Sequence, residues 1–485
     1  MLILILLLGA GLRFYHLGTE DLWLDEILTL KFASVSWSDI TFNRLDSDAI
    51  THFLSDYIIM HLWLNLGKSA AMLRLFSALV GIITIAVMFA VGCRLFNSRI
   101  GLFGALLLAI SSYHIFYSQE ARAYALQTLL ILSVVYFFYR AGEEHKIRFW
   151  IFYSFISILA IYLQVFSIFS IIALDIYVLI QLCFSHKRVQ LIPWLISQIA
   201  ILIFCLPYLI YIIQPSIYAE RLAWIPKPGL QDIANMVALF SCGRIFWVVP
   251  EYLRRFIAVL YLFPVLLSCI SFNDANRKPS VIIDRSSGTM LTWSLFIIPI
   301  ILFYTISFKR PIFVADRYLI ITLPFFYLLA AYGITKLEHR ALKYIITGIL
   351  VCGMLIGLYA HYHNPTKIRW SQIARVIEQN RQQTDLVLIH PYYQATSLSY
   401  YLKEPVSLDS IDDIDRIWEI TNGHPRTWLI ILTDWVNKPS GAIYSRLSSR
   451  YQRQQMMLAI SNPTQVDIIL YDMPGYIPDS TRNKN

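Results

Sequence analysis

The chain has 485 residues, 57% of them hydrophobic and only 15% charged, with a mean hydropathy of +0.57. A soluble chain carries about 25% charged residues, so this composition excludes a purely soluble fold and calls for contact with lipid. The net charge of +9 comes from basic residues scattered between apolar runs rather than gathered in one patch, which argues against a nucleic-acid partner and fits cytoplasmic membrane loops.

The start, Met1 to Leu8, resembles a signal-peptide core but lacks a basic leader and a small-residue cleavage site. It is read as a short first membrane helix, with the true start left open upstream. A spanning helix needs roughly 17–25 mostly apolar residues. Ten further spans are expected. They are Leu75–Cys93, Ile100–Tyr113, Ala123–Tyr139, Phe149–Tyr162, Val165–Phe184, Leu191–Ile213, Phe256–Phe272, Thr289–Phe308, Tyr318–Ile334 and Tyr344–Ala360. Gln231–Val249 reads either as a further span or as an interfacial helix. The six cysteines lie in or beside these runs without a CxxC pair, as membrane-core residues rather than a disulfide framework or a zinc site.

Every second loop is basic: Arg94 and Arg99, then Arg140, Lys146 and Arg148, then Lys187 and Arg188. Arg277, Lys278 and Arg285 follow, then Lys336, Arg340 and Lys343. That set is cytoplasmic by the positive-inside rule. About eleven spans then put the N-terminus inside and the C-terminal tail outside. The first outer loop, residues 18–72, is long and rich in acids, histidine and tryptophan, a length usually reserved for function. Its His61-Leu-Trp-Leu pattern fits helices lying on the lipid surface.

The composition changes abruptly at His361. Trp370–Arg381 reads as a helix, and Leu386–His390, Thr427–Thr433 and Val466–Tyr471 read as buried strands. The expected architecture is mainly α: a polytopic helical domain, residues 1–360, followed by a small extracytoplasmic α/β domain, residues 361–485.

Three outer-loop clusters can carry chemistry. In Leu22-Trp23-Leu24-Asp25-Glu26, two adjacent carboxylates beside a membrane are costly to desolvate unless something uses them. One can serve as general base toward an acceptor hydroxyl, with its pKa raised by Trp23; the plain alternative is a loop acid capping a juxtamembrane helix. In Tyr117-Ser118-Gln119-Glu120-Ala121-Arg122-Ala123-Tyr124, the arginine suits a phosphate and the acid a substrate or metal, against a surface ion pair. In Lys309-Arg310-Pro311 through Asp316-Arg317-Tyr318, cations on the outer side run against the positive-inside trend. An anionic ligand at headgroup level explains them, as does headgroup anchoring. Weaker candidates are His52, the intramembrane Asp175, Arg13 at the end of the first span, and Arg221 with Lys227. P-loop, GxGxxG, HExxH and GxSxG motifs are absent. An outward-facing transferase without a nucleotide cradle calls for a donor already across the membrane, such as a polyprenyl-phosphate sugar.

The segment Leu12-Arg13-Phe14-Tyr15-His16-Leu17-Gly18 with the Asp25-Glu26 motif resembles the opening of the dolichyl-phosphate-mannose protein mannosyltransferase family. That GT-C superfamily includes the bacterial lipid A aminoarabinose transferases. Leu73-Arg74-Leu75-Phe76-Ser77, the Ser118–Leu126 stretch and Asp316-Arg317-Tyr318-Leu319 extend the likeness over roughly residues 10–335. The resemblance implies inverting transfer of a sugar from a polyprenyl-phosphate donor to a protein, lipid or envelope-glycan acceptor. It implies Asp25 as base, supported by Glu26, and Glu120 as the second-loop acid. Arg122 and Arg317 would hold the donor phosphate. From their places in the outer loops rather than from the resemblance, Arg13 and Lys309 are further candidate phosphate ligands, Arg13 equally a helix anchor, and His52 and Tyr124 are candidate substrate contacts. Cations there would stabilise charge developing on the leaving phosphate. The chain departs from bacterial relatives at His52-Phe53-Leu54, where they carry His-Pro-Pro, and at Tyr162-Leu163-Gln164-Val165-Phe166, where they often carry histidine. No cofactor is fixed: Asp25, Glu26 and Glu120 fit a divalent cation and equally a metal-free site. A transporter of lipid-linked glycans would instead line a path through the spans and show inverted repeats, and a non-catalytic relative would bind lipid-linked sugar for a partner.

Overall fold

The computed structural model describes residues 1–41, 54–184, 190–214, 225–244, 249–271, 282–283, 287–404, 407–410, 416–422, 424–432, 443, 445, 447–449, 451, 453–460 and 466–472. By packing, the chain divides into two units. One comprises Met1–Gly18 and Thr29–His363; the other comprises Thr19–Leu28 and Asn364–Asn485. The decapeptide Thr19–Leu28, expected to belong with the membrane part, groups with the C-terminal residues instead.

The first unit is helical. Among the described residues, seven helices are long and apolar enough to cross a membrane, or eight if one bent pair counts as a span. They include α5 (Ala70–Leu95), α8 (Tyr124–Glu144), α11 (Leu191–Ile212) and the helix Arg340–His363. Three shorter apolar helices, α1 (Leu2–Phe14), α9 (Ile147–Leu163) and α12 (Leu230–Cys242), accompany them. This is an integral membrane protein. Its backbone polar groups must bond within the helices because lipid offers no partner. The segment Tyr318–Thr335 is the most enclosed of the seven, whereas α11 and Arg340–His363 present exposed Ile and Leu side chains suited to lipid.

The starts of the helices follow from local chemistry. Ser69 Oγ accepts the Met72 N–H at 3.3 Å to cap α5, and Asn97 Oδ1 accepts those of Arg99 and Ile100 to cap α6 (Ser98–Ile110). The expected span Ile100–Tyr113 is not continuous. It breaks at Ser111 into α6 and α7 (Ser112–Ser118), bent by 64°. Ser111 Oγ caps α7 by accepting the His114 N–H and also receives the Tyr327 hydroxyl at 2.9 Å.

The second unit is α/β. Two short strands, β1 (Ile270–Ser271) and β2 (Ile282–Ile283), belong to the first unit. The five-stranded sheet of the second has the order β4-β3-β5-β7-β6, with β3 Leu386–His390, β4 Ser407–Ser410, β5 Arg426–Leu432, β6 Arg453–Ile460 and β7 Val466–Asp472. Strands β4, β3 and β5 run parallel; β7 is antiparallel to β5, and β6 to β7. Strand side chains alternate between faces, and parallel strands need both faces covered. Val387, Ile389, Trp428, Ile430 and Ile468 accordingly join one core with Trp370, Ile373 and Ile377 of the helix Trp370–Asn380. Leu386, Leu388, Leu429, Ile431 and Ile469 join the other with Ile417, Leu447 and Tyr451. Strands β4 and β6 were not expected from their sequences.

Candidate active site

The break between α6 and α7 builds the first part of the site. Ending α6 frees carbonyls that would otherwise accept helical bonds. Arg13, fully buried, reaches two of them, Ala109 O at 3.1 Å and Leu108 O at 3.2 Å. Its remaining bonds go to Gly9 O at 3.0 Å, Ser118 Oγ at 3.2 Å and His114 Nδ1 at 2.8 Å. A guanidinium has five N–H groups, so Arg13 has no donor left for a phosphate. Its expected role as a phosphate ligand gives way to that of a staple at a helix C-terminus, where a cation also suits the dipole. Gly81 makes the approach feasible, because a Cβ there would stand 2.9 Å from Arg13 Nε and collide with Ser118. Gln119 completes the arrangement. Its Nε2 donates to Arg13 O at 3.0 Å and Tyr15 O at 2.8 Å, and its Oε1 pairs with His361 Nε2 at 3.0 Å.

With α7 fixed, its aromatic residues organise the loop before Tyr318. The Tyr117 hydroxyl donates to Asp316 O, and that of Tyr113 to Ala315 O at 3.4 Å. Arg317 follows directly. Arg244 lies across from this loop, its guanidinium 3.3 Å from Asp316 Oδ2 and over the Phe116 ring at 4.3 Å. Gly243, at φ +77°, ends α12 with its N–H on Leu239 O and turns the chain into Arg244. Burial pulls the Arg244 guanidinium down, but Asp316, then Tyr117 and Glu120, outweigh it against Arg317, and the group sits above its ordinary pKa. Glu120, Arg244, Asp316, Arg317 and Tyr117 therefore share one electrostatic neighbourhood, with Glu120 buried.

Two residues beyond Glu120, the buried Arg122 donates through one terminal nitrogen to Thr29 Oγ1 at 3.2 Å. It also acts on Asp56, a buried carboxylate of α4 (Leu54–Trp63). Burial raises Asp56 to about 6, and Arg122 pulls the other way. The motif Glu120-Ala121-Arg122 thus joins the Arg244–Asp316 pair to the Thr29–Asp56 group. Tyr124 is buried with its ring 4.7 Å from that of Tyr117, so it packs the site wall.

In the second unit, Asp25 and Glu26 open the first turn of α2 (Leu24–Ala33). Asp25 is half-buried. Glu26 is fully buried, and its Oε2 lies 2.9 Å from Lys367 Nζ and accepts the Trp23 N–H at 3.4 Å. That is the helix-capping role of an acid at the third helical position. Buried as it is, the Glu26 carboxylate meets a cation, since a buried charge without one would be costly.

The other candidates divide. Lys309 is exposed beside Arg310, after the helix Ser287–Ser307. Asp175 accepts the Trp194 indole N–H at 3.1 Å, the interhelical bond that competed with a functional reading. Lys227 is exposed, and His52 and Arg221 lie outside the described residues. Among the described residues, no three or more His, Cys, Asp or Glu side chains gather closely enough to hold a metal.

Sequence reasoning missed Arg244, Asp56 and Lys367. Arg244 had a signal: it is a lone cation between apolar stretches, Phe240-Ser-Cys-Gly and Ile245-Phe-Trp. Asp56 preceded the apolar run Tyr57-Ile-Ile-Met and was equally visible. Lys367 had none, since its partner lies 341 residues away.

Residues 53–211 match the family described as dolichyl-phosphate-mannose-protein mannosyltransferase. No curated protein matches. Among solved structures, ArnT from Cupriavidus metallidurans bound to undecaprenyl phosphate is similar with a TM-score of 0.59 and 13% identity, over 96% of this chain and 97% of that one. Its apo state gives 0.60 and 13% over the same shares. The Archaeoglobus fulgidus oligosaccharyltransferase gives 0.48 and 10%, over 88% of this chain and 69% of that one. The chain thus has a fold like that of ArnT, and residues 53–211 match the mannosyltransferase family model.

Proposed function

We propose that the protein transfers a sugar, a hexose or pentose, from a polyprenyl-phosphate donor to an extracytoplasmic protein, lipid or envelope-glycan acceptor. The observation that carries this reading is the gathering of Arg244 and Arg317 with the buried Glu120 beside an apolar helical bundle. Clustered cations next to lipid-facing helices suit an anion with a hydrocarbon tail. The relative with undecaprenyl phosphate bound and the mannosyltransferase match support the same donor class. The basic loops support an inside N-terminus and an outside C-terminal unit.

In this reading Asp25 takes the proton of the acceptor hydroxyl as its oxygen attacks the anomeric carbon. The bond from that carbon to the phosphate oxygen breaks on the opposite face, and the sugar inverts. The departing polyprenyl phosphate gains one negative charge, which Arg122, Arg244 and Arg317 stabilise. Glu120 orients the sugar or those guanidinium groups.

The test compares a strain lacking the gene with the same strain carrying wild type or Asp25→Asn, at equal protein level. Envelope glycans, glycoproteins and polyprenyl-phosphate sugars are profiled by mass spectrometry. The deletion should lose one sugar from one acceptor, and Asp25→Asn should restore less than about 1% of it, as loss of a general base implies. Full restoration by Asp25→Asn would remove Asp25 as base and favour transport of a lipid-linked glycan.

A further inference from the structure

We propose that Lys367 is a positioning residue for the transfer reaction: paired with Glu26, it fixes the turn that presents Asp25. This rests on the reading of Asp25 as base. The segment Thr19–Leu28 packs with residues 364–485 as one unit, and its bonds concentrate on a short stretch of that unit. Both Glu20 carboxylate oxygens accept from Thr366, through its N–H and its hydroxyl. Asp21 Oδ2 accepts the Ser371 N–H at 2.7 Å, and the Leu22 N–H donates to the Tyr401 hydroxyl at 2.6 Å. Between them lies the pair of Glu26 and Lys367, whose side chains are 0% and 5% exposed, at 2.9 Å.

The pair acts directly on the turn. Glu26 Oε2 receives the Lys367 ammonium and also the Trp23 N–H, so the ammonium and the helix start share one oxygen. Asp25 is the residue between those anchors, half-buried and therefore open on one side. Without Lys367, Glu26 keeps a buried charge but loses the ammonium 2.9 Å away, which favours turning toward water or taking up a proton. Either response moves the turn from Trp23 to Glu26. A displacement of about 1 Å in a reacting group costs about 100-fold in rate.

The experiment places Lys367→Met, Lys367→Arg, Glu26→Gln with Lys367→Met, and Asp25→Asn in the deletion strain. It reads the sugar restored per copy of protein by mass spectrometry. Each purified full-length protein is also measured for binding of undecaprenyl phosphate, melting temperature and hydrogen exchange over residues 19–30. Lys367→Met should lower transfer at least tenfold and speed exchange across that segment, with undecaprenyl phosphate binding unchanged within twofold. Lys367→Arg, which keeps the charge, should retain a third or more of the transfer. If Lys367→Met does not fold, the double variant, which removes both charges, should recover the melting temperature but not the transfer.

Wild-type transfer by Lys367→Met alongside an inactive Asp25→Asn would overturn the inference and leave the base reading intact. A fully active Asp25→Asn would remove the base reading and the inference with it. Parallel loss of transfer and of undecaprenyl phosphate binding in Lys367→Met would reduce Lys367 to a folding role and overturn the inference. Recovery of both melting temperature and transfer in the double variant would do the same.

Discussion

The two units bury charge in different ways. In the helical unit, Arg13 is enclosed with neutral partners: three carbonyls, a hydroxyl and an imidazole. In the α/β unit, buried charges meet opposite charges. Glu26 faces Lys367, and Arg426 Nε lies 3.4 Å from Asp385 and 3.5 Å from Asp472. The reason lies in the backbone. A helix that breaks, as α6 does before Ser111, exposes carbonyls that a guanidinium can serve. A sheet spends its carbonyls in the ladder, so a charge beside it must find a countercharge. Within the helical unit, the candidate site departs from that unit's habit: Arg244 is paired with Asp316, and Arg122 acts on Asp56. Acids have been brought to the cations there.

That contrast can be broken at three points. The largest effect is expected for Arg13→Leu, which leaves the Leu108 and Ala109 carbonyls without their guanidinium partner in a dry interior. At about 1–3 kcal/mol for each unmet group, the loss is about 2–6 kcal/mol. It should appear as reduced folded yield and a lower melting temperature in detergent. A variant as stable as wild type would mean that the broken helix does not need its cation.

Asp56 gives the next effect, through pH. Its folded pKa is raised from 3.8 to about 6. The protonated form is therefore favoured in the fold, and its stabilising contribution is complete below 3.8 and lost as pH rises through about 6. The loss is about 2–3 kcal/mol by neutral pH. Asp56→Asn should flatten the melting temperature between pH 4.5 and 7.5 and raise it at the upper end. An unchanged slope would place the titration elsewhere.

Arg244→Gln should have the smallest effect, a roughly tenfold weaker binding of undecaprenyl phosphate, about 1.4 kcal/mol, with the fold intact. Unchanged binding would assign Arg244 to its ion pair with Asp316 alone.

The membrane class, most of the long helices and the α/β character of the C-terminal residues were legible because each rests on local patterns. A run of lipid-compatible residues, a strand such as Leu386–His390 and a helix such as Trp370–Asn380 announce themselves within a short window. The weakly patterned strands β4 and β6 did not, since their places come from pairing with β3 and β7. Of the candidate site, the loop motifs were visible but their roles were not separable. Arg13 and Arg122 are both outer-end arginines in sequence, yet one is consumed by carbonyls and the other acts on a buried acid.

Composition and periodicity alone determined that this chain is a membrane protein with a soluble-type α/β tail, because burial against lipid and alternation in a sheet are written residue by residue. Tertiary structure alone decided which of two adjacent acids meets Lys367. Glu26 and Asp25 are neighbours with the same chemistry, and Lys367, 341 positions further along, occupies one of them. A buried charge is defined by whatever the fold brings within reach of it, and no local window contains that partner.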